Sequence, residues 1–199
     1  MKVSKAQSAE NRQGILDAAA RLYREHGLAG VGVADITREA GLTHGGLYRH
    51  FESKDALVRE ACAQAFDWSI ASLGGPPCAP GDLASRVSAY LSPQHRDHPG
   101  NGCPVAALAV DAARAGPELS EVFALGIERN IDRFAHVMSG GLPDDAVTTS
   151  TMRGEALVTL ATMVGGLVLA RATAAGRPEL SDQILATVRE HLLRSEESS

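Results

Sequence analysis

Aromatic side chains are scarce in this sequence: Phe, Trp and Tyr together make up 4% of 199 residues, with a single Trp. Runs that alternate β-branched or aromatic residues with polar ones, the pattern of a half-buried strand, are equally rare, so the chain is expected to be all-α. Long apolar runs are also missing. The longest stretch without charge, Ala156 to Ala170, has 15 residues and is interrupted by Thr159, Thr162, Gly165 and Gly166. That is shorter than the roughly 18 residues of a membrane span and reads as a buried or interface helix, with no membrane partner. No apolar core of a secretory signal stands at the N-terminus. Cysteine is limited to Cys62, Cys78 and Cys103. An odd set without a signal peptide fits reduced thiols in a cytoplasmic protein better than a disulfide scaffold. Nor does positive charge dominate: 19 Lys and Arg face 24 Asp and Glu, for a net charge of -5. A non-specific architectural binder that coats phosphate would be strongly basic, and this chain is not.

What is present is unevenly placed. Residues 1–60 carry a net +1 with three further histidines, while the remaining residues carry -6. Any contact with a polyanion is therefore expected near the N-terminus, and the acidic remainder would be kept off it by repulsion. Residues 1–9 are polar and read as a flexible tail. Ile15, Leu16, Ala19, Leu22 and Tyr23 are spaced for one face of a helix over about 11–26, ended by Gly27. A short helix over about 34–40 follows, then Gly41-Leu42 as a turn, Thr43 as an N-cap and a second short helix over about 44–50. Ser53 caps a longer helix with a buried stripe of Leu57, Val58, Ala61, Cys62, Ala65 and Phe66. Gly74 to Gly81 (GGPPCAPG) has the composition of a linker. Further helices are expected over about 82–91, 104–115, 117–139, 144–175 and 179–194, with Pro104, Pro117 and Pro178 near their starts.

The stretch GVGVADITREAGLTHGGLYRHFESKDAL, Gly30 to Leu57, reads as a helix-turn-helix. Val33, Ile36, Ala40, Leu42 and Leu47 can form a small shared core, and the second helix then projects its first residues outward, as needed to reach base edges in a major groove. Together with RQGILDAAARLYREHG before it, this segment resembles the DNA-binding domain of the TetR family: three elements in the same order and at the same spacing. The resemblance covers about residues 10–60 closely and the remainder only in the number and order of helices. It implies an all-α chain of three parts: the tail 1–9, a helix-turn-helix DNA-binding domain over 10–60, and a helical ligand-binding and dimerisation domain over 61–199. It further implies a homodimeric repressor released from a palindromic double-stranded operator by a small-molecule or thiol-reactive effector. Two departures stand out. Gly32 occupies a place where the family often has Ser or Thr, and Gly45-Gly46 interrupts the recognition helix at about 1 kcal/mol per Gly relative to Ala.

On that resemblance Tyr48, His50 and Lys54 match phosphate-contacting positions, which orient a protein on the duplex without reading sequence. Thr43, His44, Gly45, Gly46 and Arg49 are the candidates to face the groove; Arg commonly reads guanine and Thr a thymine methyl. Lys2, Lys5 and Arg12 are candidates for sequence-neutral attraction, with a solvated, disordered tail as the alternative. Trp68 is a candidate to couple a ligand pocket to the DNA-binding unit, and Phe123 and Ile127, with Ile131 and Phe134 on the same side of their helix, are candidates for a pocket wall. Cys103 precedes a Pro-started helix in HRDHPGNGCPVAALA, near His95, Arg96 and His98, a setting that favours thiolate and would suit an effector- or redox-sensing residue. The competing class is a helical enzyme. No His pair has the helical spacing of a zinc motif, and neither a phosphate-binding Gly loop nor a nucleophile elbow is present, so neither a cofactor nor a metal is expected.

Overall fold

The structure, a computed structural model, describes residues 4–71, 83–138 and 150–196. Every regular element among them is helical. The α-helices are α1 (Lys5–His26), α2 (Val33–Glu39), α3 (His44–Leu47), α4 (Lys54–Ala71), α5 (Leu83–Tyr90), α6 (Pro93–Asp97), α7 (Pro104–Arg114), α8 (Pro117–Met138), α9 (Ser150–Ala174) and α10 (Pro178–Glu196), with a 3-10 turn at Pro99–Asn101. The expected all-α fold holds. The linker at 74–81, including Cys78, lies outside the described residues, as do Lys2 and positions 144–149.

Two differences from the expected elements have local causes. Helix α1 begins at Lys5, because the Ser4 hydroxyl accepts from the Gln7 amide at 3.1 Å and caps it. Apolar periodicity starts only at Ile15 and does not report those first turns, so the tail expected over 1–9 is helical from residue 5. Helix α6 falls between the helices expected over about 82–91 and 104–115, where no helix was expected. Ser92 caps it by accepting from the His95 amide, and Pro93 takes the first helical position, where a missing N–H is no loss.

The chain divides into two compact units. The first contains Met1–Asp67 and Pro99–Ala124. Its centre is made by Ile15, Ala19 and Tyr23 of α1, Ile36 of α2, Leu47 of α3 and Leu57 and Ala61 of α4, all fully buried. The expected α4 stripe is buried throughout, from Leu57 to Phe66. Phe66 meets Phe123 edge to face, with ring centroids 5.1 Å apart. The 3-10 turn and α7 pack on α1, and the Asp111 carboxylate of α7 accepts from the Leu28 amide at 3.3 Å. Compactness thus groups the N-terminal helices with a later segment, whereas the sequence divides the chain by role.

The second unit contains Trp68–His98 and Leu125–Ser199. Helices α9 and α10 form its main hairpin. Gly166 lies against Val188 so closely that a Cβ there would sit 3.1 Å from a Val188 methyl. Ser181, fully buried, donates to the Ala170 carbonyl at 2.7 Å. Arg96 of α6 donates to Ser181 and Asp182 of α10, at 2.9 and 2.6 Å. Arg171 of α9 donates to the carbonyls of His95 and Arg96. His95 itself is buried, bonded through Nδ1 to the Tyr90 carbonyl, and burial pushes its imidazole down to about 4. It is therefore a neutral core residue that helps fix α6 on the hairpin.

Candidate nucleic-acid interface

The helix-turn-helix is built from α2 and α3. Gly41, with φ of +68°, makes the turn between them, a backbone conformation that L side chains rarely adopt. Gly32 stands at the N-cap of α2 and has no side chain to cap with. Asp35 compensates: its carboxylate accepts from the Gly32 amide at 3.0 Å and pairs with Arg38 at 2.7 Å. The Gly32 hydrogen bond first, and Arg38 second, hold the Asp35 carboxyl below its usual range. Thr43 takes the N-cap position of α3 without a hydroxyl cap bond, so that hydroxyl stays available to an outside group.

Helix α3 is a single turn ended by Tyr48, shorter than the helix to His50 that the sequence suggests. Gly45 and Gly46 account for this, since each removes the side-chain packing and backbone stiffness that extend a helix. Nothing in the first unit needs those glycines: a Cβ on Gly45 would meet no atom within 4 Å, and one on Gly46 would make only ordinary contacts. Leu47 points inward and is fully buried, while Thr43, Gly45, Tyr48 and Arg49 are exposed and His50 is half-buried. The His44 side chain lies outside the described residues.

Two basic residues are engaged within the protein. Lys54, at the start of α4, donates from Nζ to the Val31 carbonyl at 2.8 Å and is half-buried. Arg12 pairs with Glu60 and lies over the Phe51 ring, 4.6 Å from its centroid. Ser53 caps α4 as expected, accepting from the Ala56 amide at 3.0 Å.

Residues 15–61 match the family described as bacterial regulatory proteins, tetR family. This segment is therefore similar to the DNA-binding domain of the TetR family. Over 63 residues it is 38% identical to the HTH-type transcriptional repressor KstR2 of Mycolicibacterium smegmatis, covering 32% of this chain and 31% of that protein. Over 57 residues it is 39% identical to the HTH-type transcriptional regulator AcrR of Shigella flexneri, covering 29% of this chain and 26% of that protein. The chain thus spans about a third or less of the length of the curated relatives it matches. Solved structures extend the likeness in fold. A TetR transcriptional regulator from Chloroflexus aurantiacus superposes with a TM-score of 0.67 at 24% identity, over 94% of each chain. The reduced form of E. coli NemR gives 0.65 at 18% identity, over 90% of this chain and 95% of that one. The TetR-type fold, an N-terminal helix-turn-helix followed by a helical region, therefore extends through nearly the whole chain.

The residues named for an effector take separate places. Cys103 is buried, at 3% exposure, at the N-cap of α7 in the first unit. Arg24, also buried, has the Cys103 and Cys62 sulfurs within electrostatic reach; burial lowers its guanidinium to about 10 and the two sulfurs oppose that shift. The Cys62 thiol is pushed up to about 12 by burial. Phe123 packs on Phe66 in the first unit, Ile127 is half-buried on α8 in the second, and the Trp68 side chain lies outside the described residues. A cavity of about 720 Å³ lies within the second unit instead, between α5, α8, α9 and α10, and Cys103, Phe123 and Ile127 are not among the described residues that line it. Its walls come from four distant stretches of sequence, and no local period could have marked them.

Proposed function

We propose that this chain is a DNA-binding transcriptional regulator that acts as a homodimeric repressor on a palindromic operator. The observation that carries the reading is the arrangement of α3, with Leu47 locked inward while Thr43, Gly45, Tyr48 and Arg49 face outward, in a segment that matches the TetR family. A recognition helix without side chains at Gly45 and Gly46 lets its backbone approach base edges closely, and binding to DNA would add the helical order that the glycines withhold. The repressors among the relatives support the sign of the response for those proteins, and this chain is assigned the same sign on that likeness.

Dimerisation is assigned to the second unit. Leu157, Ala161 and Val168, all exposed, and Gly165, half-buried, lie on one stripe along α9 at helical spacing. Leu157 is 49% and Val168 41% exposed. A Cβ on Gly165 would meet nothing within 4 Å, so packing inside the chain gives no reason for a glycine there. Close approach of a second copy does. Helix α9 is also long and apolar enough, by length and composition, to cross a membrane. A partner helix is favoured over lipid, because Arg153, Glu155 and Arg171 fall on the same helix and the fold of TetR regulators covers nearly the whole chain.

Selection from random duplexes with the purified chain tests the reading. An inverted repeat is the expected product, since two identical heads related by a two-fold axis require two half-sites. Recovery of no enriched sequence at moderate salt would overturn it. An effector would act by changing the separation of the two heads and so the match to both half-sites. A ligand in the helical cavity is preferred to direct modification of Cys103, whose burial withholds the thiol from solvent.

A further inference from the structure

We infer that the cavity between α5, α8, α9 and α10 takes an amphipathic amine: an apolar body that carries one protonated nitrogen. This rests on the reading of the second unit as the effector-binding part and adds the chemical class of the ligand. The cavity is about 720 Å³, within the roughly 300–1,000 Å³ of sites for drug-sized molecules. Much of its wall is apolar, from Leu83 and Val87 of α5, Met138 of α8, Met152 and Val158 of α9, and Leu192 of α10. Such a wall favours a ligand that buries aliphatic or aromatic surface.

The polar part of the wall sets the charge. Thr151, Thr159 and Thr162 supply hydroxyls, His191 an imidazole and Glu155 a carboxylate; no Lys or Arg among the described residues lines the cavity. Arg153, two positions from Glu155, is committed to Glu128 and Asp132 of α8. Glu155 takes part in none of the ion pairs found among the described residues. It is the last charged residue before the uncharged run of α9, so the permanent charge on the wall is negative. An anionic ligand, a fatty acid or a phosphate ester, would enter against that charge with no cation to receive it. An ammonium group has a carboxylate to pair with at one side of the apolar wall and hydroxyls to accept its remaining protons.

Three probes with the same ten-carbon chain separate these possibilities: decylamine, decanol and decanoate, titrated calorimetrically into the full chain below their micellar concentrations. Decylamine is expected to bind most tightly, about fivefold tighter than decanol, which is the size of one solvent-accessible ion pair, and decanoate least tightly. Glu155→Gln should bring decylamine to the affinity of decanol while leaving decanol unchanged. Thr159→Trp, which fills the cavity from a half-buried position on α9, should remove binding of all three. Decanoate binding as tightly as decylamine overturns the inference, as does an amine preference that survives Glu155→Gln. Probe binding that survives Thr159→Trp places the probes elsewhere and overturns it too. Operator binding is followed in the same samples. Decylamine that binds through Glu155 without loosening the operator leaves the ligand class standing and removes the effector role.

Discussion

The helix-turn-helix and the α9–α10 hairpin solve opposite problems with the same secondary structure. In the helix-turn-helix, Ile36 and Leu47 are fully buried, and what faces outward around α3 is a hydroxyl, a guanidinium, a phenol and bare backbone. In the hairpin, Leu157, Val158, Val168, Leu169 and Leu180 all remain exposed. A surface meant for a duplex is polar and wet. The centre of a surface meant for another protein is apolar. The glycines repeat the contrast. Gly45 and Gly165 are unneeded by any neighbour within the chain, whereas Gly166 is held to its identity by Val188.

The strongest way to break this comparison is to empty the small core of the first unit. Leu47→Ala is expected to destabilise the first unit by about 2–5 kcal/mol, the range for a fully buried leucine, and to abolish operator binding. Leu157→Ser in the hairpin should leave the fold of one chain intact and weaken only association. Thermal unfolding and sedimentation, run on both variants, separate the two. Equal loss of stability in both would mean that the α9 stripe is core and not a face.

The adjacent glycines sharpen it next. Gly166→Leu drives a side chain into Val188 and should lower stability by about 1–3 kcal/mol through overpacking. Gly165→Leu should leave stability near that of the parent chain and shift sedimentation from dimer to monomer, with operator affinity falling alongside. Monomers from Gly166→Leu but not from Gly165→Leu would move the association surface off this stripe.

Much of this was legible in the sequence, and the rest was hidden for identifiable reasons. The α4 stripe, the inward Leu47 and the Ser53 cap were readable because each depends on residues within a turn or two. The first turns of α1 were not, because a helix of Ala, Gln, Ser and Glu with a Ser4 cap shows no apolar period. Helix α6 was masked by the prolines and glycines around it. The burial of Cys103 goes with the packing of the 3-10 turn and α7 on α1, which is far away in the chain. The cavity was least legible, since Leu83, Met138, Glu155 and His191 come together only in the fold. The sequence marked Glu155 only as the edge of an uncharged run.

Lys54 tests how the first unit divides its charges between DNA and itself. A phosphate contact is implied by its place in the motif, while its ammonium donates to the Val31 carbonyl just before α2. A hydrogen bond from a charged donor contributes roughly 1.5–3 kcal/mol, so Lys54→Met should weaken operator binding by about tenfold or more through misplacement of α2 and α3. If positioning dominates, the slope of log affinity against log salt changes by less than the one unit expected for a lost phosphate contact. A slope shallower by a full unit would assign Lys54 to phosphate after all.

The smallest effect lies inside the second unit, where the contrast of polar outside and apolar inside is reversed. In α2, the buried Thr37 hydroxyl is satisfied, donating to the Val33 and Ala34 carbonyls. In α8, Asn130 is just as buried, at 2% exposure, yet its Oδ1 accepts no hydrogen bond from the described residues. An unsatisfied buried acceptor costs about 1–3 kcal/mol. Asn130→Leu, similar in size and without that acceptor, should therefore stabilise the chain, raising Tm by roughly 2–4 °C per kcal/mol regained at this chain length. The matching change in α2, Thr37→Val, removes a satisfied group and should lower Tm. A fall in Tm for both would show that the Asn130 amide is paired in solution, and that the two units treat their buried polar groups alike.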